Sequence, residues 1–165
     1  GLTPEALDQG EDLLAPGYGT VVLDDQVLSG LQPASTPDRK QSGPPDKCFL
    51  GCPHLSLGRL LCWAGAILEA LKSRQQGELA IRTTLCAAPQ VLARFTAEHP
   101  GWPRLRQAGV RCSPGCPMQV FDNDLSAGDA VITNSVKLST YTEARYVPDF
   151  EILEILINGT RPEDR

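Results

Sequence analysis

The stretch Phe49-Leu50-Gly51-Cys52-Pro53-His54-Leu55-Ser56-Leu57 decides the fold. Cys48, Phe49 and Leu50 suit a buried strand, and Pro53 cannot donate to a sheet ladder, so the strand is expected to stop there. Ser56 is a good N-cap for a helix starting at Leu57. Leu57, Leu60, Leu61, Ala64, Ile67, Leu68 and Leu71 then recur every three or four residues, the apolar face of one helix. A thiol (Cys52) and an imidazole (His54) therefore stand in a strand-to-helix loop. In an open parallel sheet, such loops bind ligands at the carboxyl ends of the strands.

Working outward, a short helix is expected over residues 3–14, with Thr3 as cap and Pro4 in the first turn. A short strand is expected at Thr20–Leu23, with another helical turn or two over Asp24–Leu31. Residues 32–47, with Pro33, Pro37, Pro44 and Pro45, read as a mobile loop or insertion. Beyond the long helix, Gly77 is placed as its C-cap, and Leu79, Ile81 and Thr83 alternate as a strand. Pro89 opens a helix carrying Val91, Leu92 and Phe95, and Val110–Cys112 is a brief strand. Ala130–Thr133 is a further strand, Tyr146 and Val147 a last short one, and Asp149 caps a final helix with Gly159 as its C′ residue. The sequon Asn158-Gly159-Thr160 reads as that helix end. Strands alternating with helices predict an α/β fold, a three-layer α/β/α arrangement with a mostly parallel sheet. The domain division is then residues 1–47 as an amino-terminal segment and 48–160 as the α/β domain.

At 165 residues with 41% hydrophobic and 21% charged residues, the chain can bury a single core. Its net charge of -5, without a basic stripe interleaved with aromatics, argues against a nucleic-acid surface. No apolar run approaches the ~20 residues that span a bilayer, so no membrane partner is expected. The start Gly1-Leu2-Thr3-Pro4 is not a signal peptide and suggests a cut chain. Together these point to a cytoplasmic protein with six reduced cysteines. Cys62 reads as a small core residue of the helix, and Cys86 as core or loop.

Sheet-edge loops at Gly51–Ser56, Thr84–Ala88, Ser113–Met118 and Asn134–Tyr141 collect Cys52, Cys116, His54, Ser135, Lys137 and Tyr141. Cys52 and Cys116 read either as metal or thiolate chemistry or as buried loop cysteines. His54 could contact substrate or merely lock its loop, and Lys137 could neutralise an anion or stand solvated. Tyr141 is expected to pack, and His99 to end a helix without chemistry. Asp24-Asp25 and Asp122 with Asp124 read as turn and cap residues.

The runs Leu50-Gly51-Cys52-Pro53-His54-Leu55-Ser56-Leu57 and Thr133-Asn134-Ser135-Val136-Lys137, with Ala108-Gly109-Val110 through Gly115-Cys116 between them, resemble the large subunit of the aconitase X family. The likeness runs from about Phe49 to Gly159, the carboxy-terminal part of a longer subunit. It implies a dehydratase (hydro-lyase) acting on a small hydroxy acid, such as cis-3-hydroxy-L-proline or mevalonate 5-phosphate. By resemblance, Cys52 and Cys116 are two ligands of an iron–sulfur cluster or iron, the third lying in an amino-terminal region this chain lacks. His54, Ser135 and Lys137 would bind substrate. The implied partners are the remainder of the large subunit and a small swivelling domain or subunit, which would carry the general base; no catalytic residue is assigned to this chain. The sequence departs from the family where Thr140 stands for the usual histidine and where the loop after Tyr141 is shortened to Thr142-Glu143-Ala144.

Two other readings compete. A non-catalytic zinc-binding or interaction module would use Cys48, Cys52, Cys112 and Cys116, spaced four apart in each pair, with His54 as a further candidate ligand. A cysteine nucleophile at Cys52 with His54 as base has poor geometry along one loop.

Overall fold

The computed structural model describes residues 3–24, 26–27, 43–116 and 129–160. Two compact units are present, Gly1–Pro33 and Ala34–Arg165. In the first, helix α1 (Pro4–Gln9) runs into a 3-10 turn at Gly10–Leu13, as the capping pattern predicts. The expected strand at Thr20–Leu23 does not form: Val21 and Val22 are 79% and 72% exposed. A β-branched run needs a neighbouring strand to satisfy its backbone, and none is described in this unit. Asp24 does cap, its carboxylate accepting from the Val27 N–H at 2.8 Å. Asp25 and residues 28–31 of the expected helical turn, residues 32–42 of the proline-rich stretch, and Asp122 and Asp124 lie outside the described residues.

The second unit is built on a five-stranded sheet in the order β3-β2-β1-β4-β5, every pair parallel. The strands are β1 (Lys47–Leu55), β2 (Arg82–Ala87), β3 (Val110–Ser113), β4 (Val131–Thr133) and β5 (Arg145–Tyr146). The helices are α2 (Leu57–Ser73), α3 (Pro89–Glu98), α4 (Trp102–Gln107), α5 (Val136–Tyr141) and α6 (Asp149–Asn158). The chain steps from β1 outward to β2 and β3, then returns to the other side of β1 for β4. This reversal puts a topological switch point between β1 and β4, where α/β sheets open a crevice.

Helices cover both faces, giving the three-layer fold. The larger core packs Leu60, Ile67 and Leu71 of α2, Phe95 of α3, Leu105 of α4 and Ile155 of α6 against Cys48, Leu50, Leu85 and Val110 of the sheet. On the other face, Leu138 of α5 meets Phe49, Cys86 and Val131, with Cys52 packed against them. Strand alternation divides these two sets. Exposed ion pairs Arg59–Asp149 (2.5 Å) and Arg74–Glu154 (3.0 Å) join the two ends of α2 to the start and middle of α6. At this exposure each is worth about 0–1 kcal/mol, and the apolar seam between them does the holding.

Four details correct the sequence expectation. The strand does not end at Pro53 but continues to Leu55. Its ladder with β2 breaks after Leu50↔Leu85 and resumes at Leu55↔Ala87, so five steps along β1 match two along β2. Pro53 sits inside that bulge, where no ladder donor is needed. Cys62 is exposed, because the buried arc of α2 is Leu60, Trp63, Ala64, Ile67 and Leu71, and Cys62 lies about 200° round the helix from Leu60. Helix α2 ends before Gly77: Arg74 is its C-cap and Gln75 takes the positive φ of 54°. The second strand starts at Arg82, after Leu79 and Ala80 have donated to Ala108 and Leu156 carbonyls.

Candidate functional site

The rim is assembled by hydroxyl groups that tie β4 to β1. The Thr133 hydroxyl donates to the Phe49 carbonyl at 2.8 Å and accepts the Ser135 N–H at 3.1 Å. Ser135, the N-cap of α5, accepts the Leu138 N–H at 3.0 Å and donates to the Cys52 carbonyl at 2.5 Å. The β1 bulge and the β4 turn are thus pinned together at the switch point. Asn134 adds a second tie, donating to Asp149 at 2.8 Å, whose other carboxylate oxygen pairs with Arg59. Ser135→Ala removes both the cap and the strut, and is expected to cost about 1–2 kcal/mol in urea unfolding. A loss below a few tenths would show that neither bond matters.

Ser135 is 5% exposed, and its one hydroxyl proton is committed to Cys52. Lys137 and His54 are exposed, and neither makes a hydrogen bond or ion pair with another described residue. Thr140 bonds back to the Val136 carbonyl at 2.7 Å. Tyr141, expected to pack, is 69% exposed, because α5 is short and buries only Leu138 and Ser139. His99 ends α3 as expected, its Nδ1 accepting from the Gly101 N–H at 3.1 Å.

All six cysteines are free. Cys86, at the carboxyl end of β2, stands between the two thiols singled out in the sequence. Burial pushes its thiol up to about 12, and the neighbouring Cys52, Cys116 and Cys112 add to the rise. Cys86 was legible only as core or loop; its position at the end of a strand flanked by the two candidate strands was the available signal. Cys48 is fully buried, and burial followed by Cys86 pushes its thiol far up; burial raises Cys112 to about 11. An unfolded thiol ionises near 9.0, so above that pH only the unfolded chain loses these protons. The contribution of these thiols to stability is therefore expected to be constant below pH 9 and to fall as pH rises toward 12, read as a declining urea midpoint. A midpoint unchanged on going above pH 9 would contradict this burial.

The four-cysteine zinc reading does not survive. Cys48 and Cys112 belong to the larger core, whereas Cys52 packs with the smaller cluster across the sheet. Among the described residues, no group of three or more His, Cys, Asp or Glu side chains is placed to hold a metal ion. Cys52 and Cys116 are soft, half-buried donors, right in kind for iron or an iron–sulfur group but too few to complete its ligands.

No family's sequence pattern matches this chain, and no curated protein does. A solved structure does. The crystal structure of Thermococcus kodakaraensis aconitase X in its holo-form superposes with a TM-score of 0.54, at 20% identity, over 85% of this chain. The fold is aconitase X-like. The chain spans 34% of the length of that relative. No helix among the described residues is long and apolar enough to cross a membrane.

Proposed function

We propose that this chain is the carboxy-terminal part of the large subunit of a hydro-lyase that dehydrates a small hydroxy acid of the cis-3-hydroxy-L-proline or mevalonate 5-phosphate kind. The reading rests on one observation: an aconitase X-like sheet whose switch point carries Cys52 and Ser135 in direct contact. Dehydration expels a poor leaving group, and iron, when bound, supplies the Lewis acidity that eases its departure. Cys52 and Cys116 would hold that group, together with a third ligand from the rest of a longer subunit. Lys137, an exposed cation at the second residue of the switch-point helix, neutralises a substrate carboxylate or phosphate. Ser135 acts through the bulge, keeping Cys52 in place. His54, exposed on the bulged end of β1, contacts substrate. The general base comes from the swivelling part.

The test is to reconstitute the chain anaerobically with the remainder of the large subunit, the swivelling part, iron and sulfide. Water loss from cis-3-hydroxy-L-proline and from mevalonate 5-phosphate is then monitored. One of the two is expected to turn over, and Lys137→Ala to lower kcat/KM about tenfold or more. An assembly holding its full iron that dehydrates neither would contradict the proposal.

A further inference from the structure

Away from the rim, the face of the sheet that carries α5 presents side chains unlike a buried parallel sheet. Parallel sheets bury both faces under apolar side chains. Here β1, β2 and β3 instead place Lys47, Arg82 and Arg111 on one face, beside Thr84 and Ser113. Lys47 and Arg82 are register partners, and Arg111 pairs with Thr84, one alternation along from Arg82. Like charges opposite one another on adjacent strands destabilise a sheet. Among the described residues one carboxylate offsets them, Asp129, which pairs with Lys47. Arg82 and Arg111 are exposed, and their guanidinium groups have no ion-pair or hydrogen-bond partner among the described residues.

These side chains line a cavity of about 260 Å³, floored by Phe49. That is room for about nine water volumes, a small molecule and not a polypeptide segment. Two planar guanidinium forks and two hydroxyls match the tetrahedral oxygens of a phosphoryl group, and a dianion offsets two unpaired cations. The Ser113 oxygen accepts the Gly115 N–H at 3.1 Å, which leaves its O–H to donate outward. Arg82 and Cys86 are four residues apart on β2, about 13 Å, so the Arg82 end of the cavity lies away from Cys86. The cavity meets the cysteine rim at its other end, where Cys112 and Ser113, the register partner of Cys86, line it.

We infer that this cavity is a binding site for a small phosphorylated molecule, held by Arg82 and Arg111 with Thr84 and Ser113. The probe is inorganic pyrophosphate, titrated into the 15N-labelled chain at an ionic strength fixed with sodium chloride. The amides of Thr84, Gly109, Arg111 and Ser113 are expected to shift together and saturate. Arg82→Gln and Arg111→Gln should each weaken binding about tenfold or more, while Arg106→Gln, an exposed cation of α4, changes nothing. Without ligand, Arg82→Gln should also raise Tm, because the repulsion from Lys47 is gone. Shifts that do not saturate, that appear only at the cysteine rim, or that weaken equally in Arg106→Gln would overturn the assignment. So would an Arg82→Gln chain that is folded, no more stable, and binds as tightly as the parent.

Discussion

Gly51→Ala is expected to destabilise the chain by roughly 3–5 kcal/mol, enough to unfold much of it given typical total stabilities of about 5–15 kcal/mol. Gly51 has φ +111°, a region that side-chain-bearing residues rarely adopt. A Cβ there would stand 2.2 Å from the Cys86 carbonyl oxygen and 3.1 Å from Leu55 Cγ. The first obstacle is backbone, so no rotamer relieves it, and β2 must move. That movement breaks the Leu55↔Ala87 pairing that closes the bulge and shifts Cys52 from Cys86. Equilibrium urea unfolding checks it. A midpoint equal to the parent's would mean that β1 does not approach β2 in this way.

Phe95→Ala is the second large effect, expected to cost about 3–5 kcal/mol. Phe95 is 1% exposed, and its ring meets Trp102 edge-on at 5.8 Å and His99 at 5.0 Å, joining α3 to the start of α4. Truncation leaves a cavity in the larger core, whose members Leu60, Ile67 and Leu105 sit on helices and cannot collapse freely. Phe95→Leu, which keeps most of the volume, should cost under about 1.5 kcal/mol. Urea midpoints of the two variants, with unchanged slopes, give the comparison. Equal small losses in both would place Phe95 outside the core.

The elements with strong periodicity or chemical punctuation could be read directly. Ser56 caps α2 by accepting the Arg59 N–H, Pro89 opens α3, and Gly159 ends α6 with φ +81°. What escaped was set by tertiary packing. A stripe of leucines cannot tell which edge of α2 meets the sheet, so the periodicity places Cys62 and Leu61 inward although the core sees Trp63 instead. Pro53 marks an interrupted ladder, but only the pairing of Leu55 with Ala87 reveals a bulge and not a strand end. At the site, residue types pointed to Cys52 and Ser135, yet the bond between them spans 83 positions, and no local pattern encodes it. Cys86, Asn134 and Arg59 entered the rim for the same reason: strand order, not spacing, makes them neighbours.

The claim beneath the proposed function is that Cys52 and Cys116 share one soft ion. Cadmium titration of the reduced chain under anaerobic conditions, read by thiolate-to-metal charge-transfer absorbance, tests it most directly. The account predicts a saturable band whose affinity falls about tenfold or more in Cys52→Ser and again in Cys116→Ser, each taken singly, and is unchanged in Cys62→Ser. A band that either single variant keeps at full affinity would show that the two thiols do not meet at one site.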